Sequence, residues 1–201
     1  MYLQRENEFT ERFWGRLPLE SAAAMYYFTR KSPIQRALHQ LKYQNQPQVG
    51  VKIGREFGRL LLQSSVFQTI AGIVPVPLHP NKERLRGYNQ SAMLAQGLAE
   101  AMGVPIITDA LVRSLFTDTQ TRKKRMERFE NVGEVFAIQR PADLQGKHLL
   151  LVDDVMTSGA TADACARLLR RAGATDVHVL TFARALREAE PIRQALPADP
   201  E

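Results

Sequence analysis

The chain has 201 residues, a net charge of +6 and a pI near 9.7, with 44% hydrophobic and 24% charged residues. That length holds one substantial domain with at most a small appendage, and the composition is that of a globular protein rather than a disordered or fibrous one. No run reaches the ~18 apolar residues of a membrane span, no signal peptide is apparent, and the lone Cys165 excludes an internal disulfide, so a reducing cytoplasm is the expected compartment.

The first helix is predicted from Ser32 as cap and Pro33 in its first turn, with Ile34, Leu38 and Leu41 on one face and an end near Tyr43. A second helix covers residues 49–62 through Val49, Ile53, Phe57, Leu60 and Leu61. Ala71 to Leu78 reads as a short strand that cannot continue once Pro75 and Pro77 intervene. Tyr88 to Met102 is predicted helical, with Leu94, Leu98 and Met102 inward and Gly103 as the stop. Residues 104–107 and 134–138 are short strand candidates, and Asp176 to Phe182 alternates as a final strand. Strands alternating with helices imply an α/β fold, its mostly parallel sheet covered on both faces. The tail from Glu188 to Glu201 holds three prolines and little apolar content, and is expected to fray.

The most informative stretch is Leu149 to Thr161, LLLVDDVMTSGAT. A buried strand ends in adjacent carboxylates, Asp153 and Asp154. Val155 and Met156 follow, then a hydroxyl-rich loop and a helix opening at Ala160. In open α/β sheets, ligands lie outside the carboxyl ends of the strands, and the backbone N–H groups at a helix start favour anions. Carboxylates accept from sugar hydroxyls. Thr157, Ser158 and Thr161 offer hydroxyl donors, and Gly159 lets the backbone curl close to a ligand. A ribose with a phosphate at one end satisfies both halves. The competing readings are weaker. A plain turn explains the residues but not their order. A two-carboxylate hydrolase is disfavoured because neighbouring strand residues face opposite ways. Ser158 lacks the G-x-S-x-G elbow of an acyl-transfer nucleophile, and no Walker A or G-x-G-x-x-G pattern supports an ATP or dinucleotide site.

Two basic clusters account for much of the charge. Lys82, Arg84 and Arg86 suit a diphosphate or a surface turn. Arg122, Lys123, Lys124 and Arg125, extended by Arg128, suit closure over an anion, nucleic-acid contact or a solvated helix face. His79, before the first cluster, is a weak acid–base candidate. Tyr88, Asn89 and Gln90 cap the helix that follows it.

The run VDDVMTSGAT resembles the phosphoribosyl pyrophosphate signature of type I phosphoribosyltransferases, with Ser158 where a second threonine is common. With it in the same order stand Ile34 through Leu41-Lys42-Tyr43, Val74-Pro-Val-Pro-Leu-His79, Arg84-Leu-Arg-Gly-Tyr-Asn-Gln90, Arg113 with Thr117 and Gln120, and Arg128 with Asn131. Together, from about Phe13 to Arg184, they resemble the ComF family of phosphoribosyltransferase-like proteins, a family linked to natural DNA uptake, with some relatives linked to sugar-acid metabolism.

The resemblance implies a type I phosphoribosyltransferase fold with a flexible hood over residues 113–131. Residues 1–30 would be an N-terminal extension, 31–187 the phosphoribosyltransferase-like domain and 188–201 a flexible tail. It implies binding of phosphoribosyl pyrophosphate, or another ribose 5-phosphate ligand, through Asp153, Asp154, Val155, Thr157, Ser158, Gly159, Ala160 and Thr161. Pro77, Leu78 and Lys82 belong to the diphosphate loop. Thr117, Gln120, Arg128 and Asn131 belong to the hood, and Asp153, Asp154, Arg84 and Arg86 carry the chemistry. Mg²⁺ is expected to ride mainly on substrate oxygens, without a direct protein metal site. The alternative function is a non-catalytic single-stranded DNA-binding component of the uptake machinery working beside a helicase, with Arg122 to Arg125 as the contact. Family members usually begin with a four-cysteine zinc ribbon. One cysteine and four histidines do not supply it, so no zinc is expected here, and either the sequence begins after such a ribbon or this lineage lacks one.

Overall fold

A computed structural model describes residues 21–28, 33–43, 46–113 and 135–185. In chain order the elements are β1 (Ser21–Phe28), α1 (Pro33–Tyr43), α2 (Pro47–Leu61), β2 (Gly72–Pro75), α3 (Pro80–Arg86), α4 (Gln90–Met102), β3 (Leu111–Arg113), β4 (Phe136–Ile138), β5 (His148–Met156), α5 (Ala160–Arg171) and β6 (Asp176–Ala185), with 3-10 turns at Ser65–Phe67 and Pro141–Leu144. The proposed cap Ser32, the hood residues Thr117, Gln120, Arg128 and Asn131, the basic run Arg122 to Arg125 and the tail 188–201 lie outside the described residues.

β1, β6, β5 and β2 form one sheet in that order, with every pairing parallel. β5 sits inside it, and its apolar run is continuous because both of its faces are buried. Leu149 and Leu151 enter a core beneath α5 and the β3–β4 ribbon. Leu150 and Val152 enter a second core shared with α1, α2 and α4. All four are at most 1% exposed, and each such side chain stabilises the fold by about 1.5–3 kcal/mol.

Two expectations change. Residues 21–28, assigned to an N-terminal extension, form strand β1, which pairs with β6 from Ser21 opposite His178 to Phe28 opposite Ala185. Alanines at 22–24 carry little strand propensity. The strand is made by the place waiting beside β6 and by a buried bond between Ser21 Oγ and His178 Nδ1 at 2.7 Å. Residues 104–107 make only one parallel bridge, Ile106 to Ile73, because Pro105 brings no N–H and accepts at its carbonyl from the Ile73 N–H instead.

α2 and α4 meet at a seam of glycines. Gly50, Gly54 and Gly58 recur every four residues along α2, and Gly97 answers from α4. A Cβ on Gly54 would run into the Leu94 carbonyl, and one on Gly97 into the Val51 carbonyl and the Arg55 nitrogen. The helices therefore touch backbone to backbone, which sets where the first residues of α4 stand. Replacing Gly54 or Gly97 by alanine is expected to destabilise the protein by about 1–3 kcal/mol or more, read as a fall in thermal midpoint; an unchanged midpoint would disprove the seam.

Candidate functional site

β2 and β5 run in register, Pro75 opposite Val152, and the Val76 N–H extends the ladder to the Val152 carbonyl at 2.9 Å. Both strands end at the same edge, where an open cleft lies. Asp153 and Asp154 both line it. Their side chains leave opposite faces of β5, yet both line the cleft, which opens where β2 has stopped and β5 runs on beyond it to Met156.

Each carboxylate has its own support. Asp153 Oδ1 accepts from the Ser91 hydroxyl at 3.2 Å and from the Asp154 backbone N–H at 2.8 Å. Asp154 Oδ2 pairs with Lys42 Nζ at 2.9 Å. Burial pushes the Asp153 carboxyl up to about 7, and the neighbouring Asp154 charge pushes the same way, against the two donors and Lys42. Cys165, fully buried in α5, has its thiol pushed up, first by burial and then by the Asp153 charge. It is a packing residue.

The segment Arg86 to Ser91 ties the cleft together. Gly87 ends α3 at φ 82°, where glycine is favoured. The buried Tyr88 hydroxyl donates to the Leu41 carbonyl at 2.6 Å, pinning the last turn of α1, which carries Lys42. Asn89 caps α4 by accepting from the Ser91 N–H at 3.0 Å, and its amide donates to the Val76 carbonyl at the end of β2. Gln90, buried, accepts from Arg86 Nη1 at 2.7 Å.

Of the residues singled out in the sequence, Pro77, Leu78, Lys82, Arg86, Asp153, Asp154, Val155 and Thr161 line the cleft. Arg84 does not; it is exposed on α3. Lys82 and Arg86 are four apart on that helix and share a face, whereas Arg84 is two residues from each and points elsewhere. The surface turn that was one of the two readings of this cluster is a helix, with Pro80 at its start and His79 as cap, accepting from the Asn81 N–H. His79 is thereby used structurally. Thr157 and Ser158 are exposed on the loop after β5. Gly159, at φ 83°, starts α5, and the Ser158 hydroxyl accepts from the Ala160 N–H at 3.4 Å. Lys42, Ser91 and Gln90 reach the cleft without having been assigned a ligand role. So does Arg113, whose guanidinium lies over the Phe136 ring at 5.4 Å. For Lys42 the sequence signals were its place directly after the apolar face of α1 and its membership of the Leu41-Lys42-Tyr43 run, neither of which gave it a role.

The parallel sheet, the acidic pair at its carboxyl edge and the glycine-started helix after it define the type I phosphoribosyltransferase fold. The phosphoribosyl transferase domain profile matches residues 89–196, and the chain belongs to that family, in its ComF group of competence and DNA-utilization proteins. DNA utilization protein YhgH of Salmonella typhimurium is 34% identical over 161 residues, 77% of this chain and 68% of the relative. Competence protein F of Haemophilus influenzae is 29% identical over 161 residues, 76% of this chain and 69% of that one. Among solved structures, an allosteric regulatory enzyme of purine biosynthesis superposes with a TM-score of 0.50 at 24% identity. The match covers 72% of this chain but 30% of that enzyme, a likeness of fold.

The raised Asp153 carboxyl makes stability depend on pH. Unfolded, it titrates near 3.8; folded, near 7. Between those values the folded state holds a proton the unfolded state has lost, so stability falls as pH rises through that window and the loss is complete above about 7. Asp153→Asn removes the charge that must be buried. The variant is expected to be more stable than the wild type at pH 8, with the gap closing toward pH 4. Denaturant titrations at both pH values read this, and a variant less stable at pH 8 would contradict it.

Proposed function

We propose that the cleft binds Mg²⁺-phosphoribosyl pyrophosphate and that the protein transfers ribose 5-phosphate to an acceptor. One observation carries the reading: two adjacent carboxylates and a hydroxyl-rich helix start stand at one strand end, facing cations on three other elements, Lys42 on α1, Lys82 and Arg86 on α3, and Arg113 on β3. Asp153 and Asp154 accept from the ribose hydroxyls, and the loop from Thr157 to Thr161 takes the 5-phosphate through hydroxyls and backbone N–H groups. Lys82 and Arg86 face the diphosphate beside Pro77 and Leu78.

The donor set fits magnesium carried by the substrate. A carboxylate pair suits a cation that keeps its waters and takes most of its ligands from phosphate oxygens. When bound, the metal would neutralise the diphosphate as it leaves. The protein's own part is positional and electrostatic. Asp153 and Asp154 hold the ring while positive charge develops on it, and Lys82, Arg86 and Arg113 oppose the negative charge gathering on the leaving group.

Calorimetric titration of Mg²⁺-phosphoribosyl pyrophosphate into the wild type and into Asp153→Asn/Asp154→Asn tests the reading. The wild type should bind, and the folded double variant should lose affinity at least about 100-fold, two charge-assisted contacts being removed. No binding to folded wild type would sink it; binding would justify screening acceptors by diphosphate release.

A second reading draws on the relatives' names, DNA utilization protein and competence protein, and on the net charge of +6. It is single-stranded DNA binding through Arg122, Lys123, Lys124 and Arg125. Such binding should weaken steeply with salt, fall when Arg122, Lys123 and Lys124 become alanine, and survive Asp153→Asn/Asp154→Asn. DNA retained at high salt by the triple alanine variant would eliminate this patch.

A further inference from the structure

We infer that Lys42 is a diphosphate-binding residue of the cleft, held against Asp154 in the ligand-free protein and drawn from it onto the ligand. The inference rests on the phosphoribosyl pyrophosphate reading above and adds to it a residue from an element outside the signature strand and the α3 turn. Three observations carry it. Lys42 lines the same cleft as Lys82 and Arg86, so its ammonium shares their solvent space. It is only partly buried, 24% exposed, which leaves its flexible stem room to swing. Its backbone is fixed while its head is not: the Tyr88 hydroxyl clamps the Leu41 carbonyl next to it, so the lysine pivots from a set point.

The chemistry gives the pair two states. In the structure Asp154 stands next to Asp153 and takes Lys42 at 2.9 Å as its counter-ion. A ribose hydroxyl donating to Asp154 competes for the oxygens that Lys42 occupies, while the diphosphate brings several negative charges into the same cleft. An ammonium, a point charge with three rotatable donors, follows the greater charge. Lys42 thus lets one site be stable when empty and cationic when filled. A purely structural ion pair would leave Lys42 on Asp154 throughout and would matter to the sugar end of the ligand instead.

Calorimetry with three probes separates these roles: Mg²⁺-phosphoribosyl pyrophosphate, Mg²⁺-pyrophosphate and ribose 5-phosphate, each titrated into the full chain. For Lys42→Met the expected result is a loss of about 10- to 100-fold for the first two probes, with ribose 5-phosphate unchanged within about twofold. Lys42→Met/Asp154→Asn leaves neither charge unpaired and covers the case in which the single variant does not fold. It should keep the same loss of about 10- to 100-fold for pyrophosphate. Unchanged affinity for phosphoribosyl pyrophosphate in Lys42→Met, an equal loss for ribose 5-phosphate, or recovery of pyrophosphate binding in the double variant would each overturn the inference. A folded wild type that binds none of the three probes overturns the phosphoribosyl pyrophosphate reading and this inference with it; a wild type that binds them, with Lys42 indifferent, overturns this inference alone.

Discussion

Two carboxylates on consecutive residues at the end of a buried strand are an expense that the surrounding structure must offset. Like charges at that spacing repel, and taking either out of water is unfavourable by several kcal/mol after relaxation. The offset is divided between elements distant in sequence. Ser91, at the start of α4, donates to Asp153, and Lys42, at the end of α1, neutralises Asp154. Neither helix can shift without uncovering a carboxylate, so much of the packing on this side of the sheet can be read as what keeps those two helix ends in place. The glycine seam between α2 and α4 does so from below, since it lets the helices touch along their backbones.

The segment from Arg86 to Ser91 joins these supports. Within six residues it ends α3, pins α1 through Tyr88, caps α4 through Asn89, ties that cap to the end of β2, and delivers Ser91 to Asp153. A run that could pass for a ligand-binding motif is therefore mostly a buckle. Its side chains bond to protein carbonyls and to one another, with Arg86 both lining the cleft and bonding to Gln90. Such residues are as necessary to the site as the aspartates, because the precision of a first contact depends on the groups behind it.

The carboxylate pair is also where stability and use part company. A buried Asp153 that resists ionisation weakens the folded state above neutral pH, while only the ionised form leaves both of its oxygens as acceptors in the cleft. Fold alone does not fix function, so any assignment rests on the residues that line the cleft. The described part of the β3–β4 ribbon contributes Arg113, its guanidinium held over Phe136, to the same cleft.

Local rules were enough for much of this protein. The period of the apolar residues placed α1, α2 and α4 within a few residues of their observed bounds, and the sequence VDDVMTSGAT contained strand, acid pair, glycine turn and helix start in their observed order. These features are legible because each depends on neighbours in the chain: side-chain period, caps and the φ that glycine permits. What depended on distant partners was not legible. Strand β1 opens with three alanines after Ser21 and pairs there because β6 offers an edge and His178 a partner for Ser21. Residues 104–107 look like a strand and yield one bridge, since Pro105 removes a donor. Lys82 and Arg86 were separable from Arg84 only once α3 proved helical, and Lys42 found Asp154 across 112 positions only because Tyr88 brought the end of α1 to the sheet. The sequence by itself determined strand β5, its acidic pair and the glycine-started helix after it; the tertiary structure decided which cations and hydroxyls share the cleft, because that is set by packing between helices rather than by spacing along the chain.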